Sequence, residues 1–373
     1  MKIGFDAKRA FYNKSGLGNY SRDLIKALHL YDPSQQYYLY TPSVKGAISF
    51  IHNSDIRIKT PDKNFGKLCQ AYWRSFLLTD RLKKDGIDLF HGLSNELPVN
   101  IHKKGIKSVV TIHDLIFMRF PQWYSTIDRY IYTRKFRYSG KVAKRVITVS
   151  EQTKNDLIEF FQIDENKIKV IYQGCNESFK KKLSGNDHRK IVDLYKLPSQ
   201  FILYVGTIEE RKNLLNIIKS IHLGQINIPL VVVGRPTRYL RKVREFISEN
   251  KVRNIIFMNQ LPVEHLPAIY QLAEIFIYPS VFEGFGIPIL EAMTSGIPVV
   301  TSTGSCFKEV GGKAAYYIDP YNTDEMICAI KSVLSENDRR EEMIKKGYEQ
   351  AEKFNNSDIA AKVMNAYREI SDE

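Results

Sequence analysis

The chain has 373 residues, which is long for a single domain and suits two domains of ordinary size. Its hydrophobic content of 43% and charged content of 26% are typical of a soluble globular protein, and no apolar run reaches the roughly 18 residues of a membrane-spanning helix. The formal net charge of +14 indicates an anionic partner, and nucleotides, nucleic acid and anionic lipid are the candidates.

The start of the chain and its cysteines indicate the cellular compartment of the protein. The first residues, MKIGFDAKRAF, lead directly into a strand pattern and lack the apolar core of a signal peptide. The four cysteines are scattered without a C-x-x-C pair, which argues against a zinc site or a disulfide framework. We therefore expect a protein of the reducing cytoplasm.

The first half of the chain alternates between strand-like and helix-like segments. Strands are predicted at residues 2–6, 37–40, 56–59, 87–91, 107–113, 146–149 and 169–172, and helices at 19–30, 65–84 and, with Ser150 as N-cap, up to 161. The strands are apolar without strict alternation. This pattern predicts βαβ units and a parallel sheet that helices cover on both faces.

Residues 8–18 are predicted to form a loop after the first strand. Gly16 and Gly18 lie in it, and with Ser21 they give G-x-G-x-x-S, which is not a full dinucleotide fingerprint. The turn before them is also too long for that fingerprint. A structural glycine turn and a functional loop both remain open here.

His113 and Asp114 follow the strand predicted at 107–113. Open α/β sheets bind ligands outside the carboxyl ends of their strands, so this position suits a site residue. A structural histidine is the alternative on physical grounds, and Asp114 is the lesser candidate of the pair.

A basic and aromatic segment spans residues 129–145, with seven Lys/Arg and no acid. A basic amphipathic helix of this kind could lie on an anionic membrane surface. Alternatively, its aromatic side chains pack against the sheet while its basic face points into water. Nucleic acid is not expected, because no recognised nucleic-acid-binding motif accompanies the charge.

The polar residues 174–199 are predicted to connect two domains, with a short helix possible at 191–195. Beyond them the alternation starts again. Strands are predicted at 201–205, 230–233, 254–258, 275–278, 297–301 and 314–318, and helices from 213, at 239–249, 264–273 and from 288, and at 323–334, 339–353 and 357–370.

Arg211 and Lys212 lie in the turn between the strand at 201–205 and the next helix. Two adjacent cations beside a helix N-terminus suit a diphosphate, whose developing charge fixed cations and N–H groups can stabilise. The chain contains no D-x-D pair for a bridging metal, so we expect no metal site. Ordinary surface cations are the alternative interpretation.

The segment VFEGFGIPILEA, residues 281–292, follows the strand at 275–278 and leads into a helix. We expect Gly284 and Gly286 to allow close approach of a ligand and unusual φ values. Pro288 suits the first helical position. Glu291 near the helix start can bind two adjacent ribose hydroxyls, and Glu283 can accept from a sugar hydroxyl. Two exposed surface carboxylates are the alternative.

The string E-G-F-G-x-P-x-x-E-A resembles the signature of the large retaining glycosyltransferase family numbered four, and Y-V-G-T-x-x-x-R-K-N resembles its phosphate-binding segment. The resemblance implies the GT-B fold, in which two Rossmann-like α/β domains with parallel sheets face across a cleft. On this basis we expect an acceptor-binding domain at 1–178, a nucleotide-sugar-binding domain at 179–355, and a C-terminal helix at 356–373 that crosses back to the first domain.

The resemblance also implies roles for single residues. His113 and Glu283 are implied at the transferred sugar, and Gly16 and Gly18 at the acceptor and phosphate loop. The implied donor-binding residues are Gly206, Arg211, Lys212, Leu261, Gly284, Phe285, Gly286 and Glu291. Relatives often carry a further arginine near the glycine that corresponds to Gly206, and this chain has Gly206-Thr207 there.

The implied activity is retaining transfer of a hexose from a nucleotide diphosphate sugar to a glycan or lipid-linked acceptor, with no cofactor and no essential metal. The strings YVGTIEERKNL and FEGFGIPILEAM look most like those of bacterial enzymes of surface polysaccharide assembly, which favours mannose from GDP-mannose. A nucleotide-sugar epimerase, a phosphorylase and a non-catalytic nucleotide-sugar-binding protein are the alternatives, because fold does not settle function.

Overall fold

The computed structural model describes residues 1–13, 16–44, 56–62, 67–259 and 261–372. The chain forms two compact units, one comprising Met1–Gly174 with Phe354–Glu373 and the other Cys175–Lys353. The second unit begins before residue 179 because Cys175 and Phe179 already pack into it. The Cys175 thiol lies 3.5 Å from Thr294 Oγ1, and the Phe179 ring packs edge-on against Tyr270.

The first unit is built on a parallel sheet with the strand order β3-β2-β1-β4-β5-β6-β7 in its described part. Its strands are β1 (Lys2–Asp6), β2 (Gln36–Tyr40), β3 (Ile56–Lys59), β4 (Leu89–Gly92), β5 (Lys107–Ile112), β6 (Arg145–Thr148) and β7 (Ile168–Val170). Central residues of the sheet such as Phe5, Phe90 and Val110 are fully buried, which explains the apolar strands without alternation.

Helices cover this sheet on both faces. They are α1 (Lys8–Tyr12), α2 (Gly16–Tyr31), α3 (Lys67–Tyr72), a π-helical turn (Trp73–Leu77), α4 (Leu78–Lys84), α5 (Ile116–Arg119), α6 (Thr126–Val142) and α7 (Glu151–Phe161). Ser150 caps α7 as predicted, since its hydroxyl accepts from the Thr153 N–H at 3.1 Å. The first two residues of the helix predicted at 65–84 lie outside the described residues.

The predicted loop at 8–18 was wrong, because this stretch contains α1 and the first turn of α2. Arg22 explains part of the difference. Its guanidinium donates to the carbonyl oxygens of Ala10 at 2.7 Å and Asn13 at 2.9 Å, so it holds the end of α1 against α2. A contact between residues of two different elements leaves no periodic pattern in the sequence.

The C-terminal helix (Asn356–Asp372) belongs to the first unit, as predicted. Its Tyr367 is fully buried, and Lys107 of β5 donates to the carbonyl oxygen of Ser371 at 2.8 Å. Arg368 pairs with Asp32 at 3.1 Å. The last helix is therefore anchored through its buried face and through its polar rim.

The second unit repeats the arrangement with the order β10-β9-β8-β11-β12-β13, again parallel throughout its described residues. Its strands are β8 (Ile202–Val205), β9 (Leu230–Val233), β10 (Ile255–Met258), β11 (Ile275–Tyr278), β12 (Val299–Ser302) and β13 (Ala315–Ile318). Both sheets thus contain the 3-2-1-4-5-6 order of the Rossmann fold, which β7 extends by one strand in the first unit, and this confirms the predicted fold class.

The helices of the second unit are α8 (Gly185–Tyr195), α9 (Leu214–Leu223), α10 (Leu240–Glu249), α11 (Leu266–Leu272), α12 (Ile287–Thr294), α13 (Phe307–Gly311), α14 (Thr323–Ser335) and α15 (Asn337–Ala351). The predicted connection at 174–199 is only partly a linker, because α8 docks on this unit, where His188 Nε2 lies 3.2 Å from Gln271 Oε1. No helix within the described ranges has both the length and the apolar character needed to cross a bilayer.

Candidate active site

The turns after β8 and β11 meet at one point of the second unit. These strands are neighbours in the sheet, and the strand order reverses between them, because β9 lies on the other side of β8. Ligands of open α/β sheets bind at such a switch point, outside the carboxyl ends of the strands. Arg211 and Lys212 follow β8, and Glu283 follows β11, so the topology brings these three predicted site residues together.

Glu283 is the centre of the resulting cluster. Its Oε1 lies 2.8 Å from Arg211 Nη1 and 3.0 Å from Lys212 Nζ. Tyr278 and Ser280 donate their hydroxyls to the same oxygen at 2.7 Å and 2.8 Å. Since these bonds within the described chain all end on Oε1, Oε2 is left to accept from a ligand hydroxyl.

The cluster is balanced in charge. Arg211 also pairs with Glu209 at 2.6 Å, so two cations face two carboxylates. Burial by itself would raise the pKa of Glu283, but Arg211 and Lys212 outweigh it and hold that pKa far below its usual range. Burial likewise raises the pKa of the Tyr278 hydroxyl, and the neighbouring Glu283 raises it further, so this group stays protonated.

Gly206 makes room for the lysine. A Cβ at this position would lie 3.0 Å from Cδ of Lys212, which is closer than side-chain carbons normally approach. The ammonium of Lys212 is also held 4.9 Å from the centre of the Tyr278 ring and 2.5 Å from its hydroxyl. Gly206, which the sequence assigned to the donor site, therefore leaves the space that the Lys212 side chain occupies.

Backbone contacts fix the turn that carries Glu283. Ser305 Oγ accepts from the Glu283 N–H at 3.3 Å and donates to its carbonyl at 2.9 Å, and the Cys306 thiol donates to that carbonyl at 3.2 Å. The Val281 N–H donates to the Arg211 carbonyl at 2.9 Å, which ties the two turns together. Ser305 and Glu283 are 22 residues apart, so the sequence gives no local sign of this contact.

The helix after the glycine turn is α12. Gly286 precedes it with φ of +89°, in the left-handed region that favours glycine, whereas Gly284 does not have the predicted unusual φ. Ile287 is the first helical residue, so Pro288 takes the second position rather than the first. Its missing N–H is still one that the first turn of a helix leaves unpaired.

Glu291 lies further along α12 and is 9% exposed. The Tyr270 hydroxyl donates to Glu291 Oε2 at 3.0 Å. Burial raises the pKa of Tyr270, and the adjacent carboxylate raises it further. The glutamate is thus a buried, oriented carboxylate rather than an ordinary surface charge.

Two further predicted donor residues lie near these turns. Phe285 is buried with 3% exposure, so its side chain packs inward. Leu261 follows β10, the edge strand of the sheet, and is partly exposed. Leu261 therefore lies two strands away from β8, at the same carboxyl edge, rather than in the charged cluster.

His113 belongs to the first unit, directly after β5 at the carboxyl edge of that sheet. Its Nε2 donates to the carbonyl oxygen of Leu93 at 2.9 Å, because a carbonyl can only accept. Burial lowers the pKa of His113 to about 4, so the ring is neutral at pH 7. The remaining ring nitrogen, Nδ1, is then an acceptor, suited to a sugar hydroxyl.

The two glycines of the first unit differ. A Cβ on Gly18 would lie 1.9 Å from the carbonyl oxygen of Asn13, so this glycine is required for packing. A Cβ on Gly16 would meet no atom of the described residues within 4 Å, and this residue is exposed at the start of α2. Gly16 is thus open to a ligand, while Gly18 has a structural explanation.

The structure offers no candidate metal ligands among its described residues, where no group of three or more His, Cys, Asp or Glu could hold an ion. The groups that could bind a diphosphate there are the Arg211 guanidinium and the Lys212 ammonium. These are the two side chains to which the sequence assigned a diphosphate, and that assignment stays a prediction.

Two family models match this chain, one in each half. A family model described as glycosyl transferases group 1 matches residues 189–350, and one described as glycosyltransferase family 4 matches residues 14–179. The O-antigen chain mannosyltransferase B of Escherichia coli is 28% identical over 392 residues, covering 99% of this chain and 100% of that protein. The O-antigen chain mannosyltransferase RfbU of Salmonella typhimurium is 29% identical over 227 residues, 60% of each protein.

A solved structure supports the fold. Sucrose-phosphate synthase from Thermosynechococcus elongatus has a TM-score of 0.78 to this chain at 18% identity and covers 99% of both chains. At this identity the likeness concerns the fold alone. The two family models together account for most of both units, and the chain belongs to the GT-B glycosyltransferases of group 1 and family 4.

Proposed function

We propose that this glycosyltransferase transfers mannose from GDP-mannose, with retention of configuration and without a metal, to a glycan or lipid-linked acceptor of a surface polysaccharide. The observation that carries the proposal is the cluster of Arg211, Lys212 and Glu283 at the switch point of the second sheet. The choice of mannose rests on the relatives, two of which are named O-antigen chain mannosyltransferases.

Each group has a role in this proposal. The diphosphate takes hydrogen bonds from Arg211 and Lys212, which stabilise the negative charge that develops as the sugar leaves. Glu283 accepts from a sugar hydroxyl through Oε2, and Glu291 accepts from the ribose. His113 accepts from the sugar through Nδ1. In this scheme Arg211 and Lys212, rather than a metal ion, face the diphosphate.

A ligand screen tests the proposal. Thermal unfolding is followed with UDP-, GDP-, ADP- and dTDP-sugars, first in EDTA and then with magnesium. A ligand at about 100 times its Kd adds about 2.7 kcal/mol of stability, which a thermal shift detects easily. We expect a metal-independent shift with GDP-mannose that Lys212→Ala and Glu291→Ala abolish, and an α-linked product by NMR.

Other results would contradict it. A shift that needs magnesium would refute metal independence, a shift with another nucleotide sugar would refute the donor, and a β-linked product would refute retention. A shift with NAD or DNA alone would refute the whole proposal. Lys242→Ala is a matched control, because this lysine is 62% exposed in the same unit and pairs only loosely with Glu210, at 3.5 Å.

We also propose that the outward face of α6 touches an anionic membrane at the cytoplasmic side. Phe136 is buried, so part of the aromatic set packs inward. Ile127 and Tyr130, however, are 72% and 60% exposed, and helical spacing places the exposed Arg134 and Arg137 on the same face. Apolar side chains among cations are typical of helices that lie in a membrane interface.

Vesicle sedimentation tests this surface. We expect binding to vesicles that contain phosphatidylglycerol, weak binding to pure phosphatidylcholine, and loss of binding in an Ile127→Ser, Tyr130→Ser double variant. Tyr321→Ser, at a tyrosine 70% exposed in the second unit, is the matched control. Equal binding of the double variant and the control would contradict the proposal.

A further inference from the structure

A buried hydrogen-bonded network in the first unit reaches from the C-terminal helix to the neighbourhood of His113. The Tyr367 hydroxyl lies 2.6 Å from His91 Nδ1, and His91 Nε2 lies 2.8 Å from Thr111 Oγ1. Thr111 Oγ1 in turn lies 3.0 Å from the Tyr20 hydroxyl. We call these four residues the Tyr20–Tyr367 network.

The network ends against the ring of His113. The Tyr20 ring meets that ring edge-on, with the centres 4.6 Å apart and the planes at 90°. The Leu93 carbonyl, 2.9 Å from Nε2, holds the other side of the imidazole. The backbone of His113 is held by Asn95 at 2.7 Å and Thr153 at 3.0 Å, while its ring is held by the bond to Leu93 and by the Tyr20 ring.

The network has little freedom. His91, Thr111 and Tyr367 are fully buried, and Tyr20 is 6% exposed. Burial lowers the pKa of His91 to about 3, so the ring is neutral, donating through one nitrogen and accepting at the other. A satisfied buried network of this kind makes its members rigid, because an unpaired polar group there is costly.

Four elements of the first unit meet in this network. Tyr20 lies on α2, His91 on β4 and Thr111 on β5, while Tyr367 comes from the end of the chain. Thr111 and His113 are two residues apart, so they point to the same face of the extended β5 path. Tyr20 is thus hydrogen-bonded to Thr111 through its hydroxyl and touches the His113 ring through its own ring.

We propose that Thr111, His91 and Tyr367 are positioning residues that hold the Tyr20 ring against His113, so that the C-terminal helix sets the orientation of His113 for sugar transfer. The proposal rests on the proposed function in giving His113 a contact with the transferred sugar. A purely structural network is the alternative, which would affect stability and leave His113 and the chemical step unchanged.

The substitution pair Thr111→Val and Thr111→Ser distinguishes the positioning role from a purely structural network. Valine keeps the size of threonine but removes the hydroxyl that links His91 to Tyr20, whereas serine keeps it. We expect Thr111→Val to shift the side-chain ¹⁵N resonances of His113 and to lower kcat about 10-fold with a smaller change in KM, as for a misplaced catalytic group. Thr111→Ser should restore both, and Tyr367→Phe should act in the same direction as Thr111→Val.

Tyr40→Phe is the matched control. Tyr40 is 1% exposed, and its hydroxyl donates to Asp85 at 2.8 Å, away from the network. This variant should lose stability without moving the His113 resonances or kcat. The proposal is overturned if Thr111→Val, measured well below its Tm, behaves like Tyr40→Phe in both readouts.

The transfer rate of His113→Ala and the His113 resonances of Thr111→Val together distinguish a failure of the positioning role from a failure of the proposed function. If His113→Ala transfers at the rate of the wild type, the assigned contact between His113 and the sugar is wrong. Unmoved His113 resonances in Thr111→Val, together with a slow His113→Ala variant, refute the positioning role and leave the proposed function standing.

Discussion

Replacing Glu283 by glutamine should destabilise the second unit and at the same time strengthen its binding of GDP. The carboxylate is 12% exposed and pairs with two cations that are 13% and 12% exposed, so solvent screens these contacts poorly. Removing one partner of a buried ion pair costs about 3–5 kcal/mol. Glutamine keeps the size and most hydrogen bonds, and Arg211 keeps Glu209, so we expect about 2–3 kcal/mol.

The gain in GDP affinity follows from charge competition. In the wild type a diphosphate has to replace the carboxylate on Arg211 and Lys212, whereas in Glu283→Gln both cations are available to it. We expect GDP to bind about tenfold more tightly, which corresponds to about 1.4 kcal/mol. Transfer from GDP-mannose should fall at the same time, because the sugar loses the acceptor at Oε2 of Glu283.

Scanning calorimetry, titration calorimetry with GDP and initial rates with GDP-mannose measure the three effects. Glu209→Gln is the matched control, because this carboxylate also pairs with Arg211 but is 37% exposed. It should show a smaller loss of stability and a smaller gain in affinity. Weaker GDP binding by Glu283→Gln than by the wild type would refute the competition argument, and an unchanged Tm would refute the ion-pair argument.

The remaining predictions concern pH and two other sites. The pKa of Glu283 is lower in the folded than in the unfolded protein, so its stabilising effect is complete above the unfolded pKa of about 4.3 and is lost as the pH falls through the folded pKa. The difference in unfolding free energy between wild type and Glu283→Gln should therefore narrow below about pH 4 in acid unfolding. A constant difference would contradict this. Gly18→Ala should cost about 3 kcal/mol or more by overpacking, since its Cβ would lie 1.9 Å from a carbonyl oxygen, whereas Gly16→Ala should unfold like the wild type. Tyr270→Phe, which removes a hydrogen bond to Glu291, should weaken GDP binding about threefold to tenfold in calorimetry while inorganic pyrophosphate binds as before, and equal losses for both ligands would argue against a ribose contact.

The sequence predicted both sheets well because their strands are buried on both faces. Apolar runs such as those of β9 and β11 have no competing helical pattern, and their residues are fully buried in the structure. The polarity of the strands then predicted which end carries the turns with Arg211 and Glu283. The N-cap role of Ser150 could also be predicted, because it depends only on residues that are close to it in sequence.

What the sequence did not predict depends on contacts between distant residues. Arg211 and Glu283 were assigned separate ligands, and their ion pair became visible only because β8 and β11 are adjacent in the sheet. Tyr278 was predicted only as the last residue of a strand, whereas its hydroxyl reaches the cluster. Gly18 was predicted to lie in a loop. Its contact with Asn13 could not be predicted, because it depends on how α1 packs against α2.

Glu283 pairs with Arg211 and Lys212 and is also proposed to bind a sugar hydroxyl, and these two roles affect how the proposed site would select its donor. Arg211 and Lys212 are nearly buried, and without a ligand they need a carboxylate to offset their desolvation. A free diphosphate can replace that carboxylate on the cations but leaves Glu283 with two fewer partners. A nucleotide diphosphate sugar supplies phosphate oxygens to the cations and a sugar hydroxyl to Glu283 in the same step. We infer that the intact donor leaves Glu283 better satisfied than the free nucleotide does, because a sugar hydroxyl donates to Oε2 while Tyr278 and Ser280 still donate to Oε1. The site would therefore favour the sugar-bearing ligand over its product.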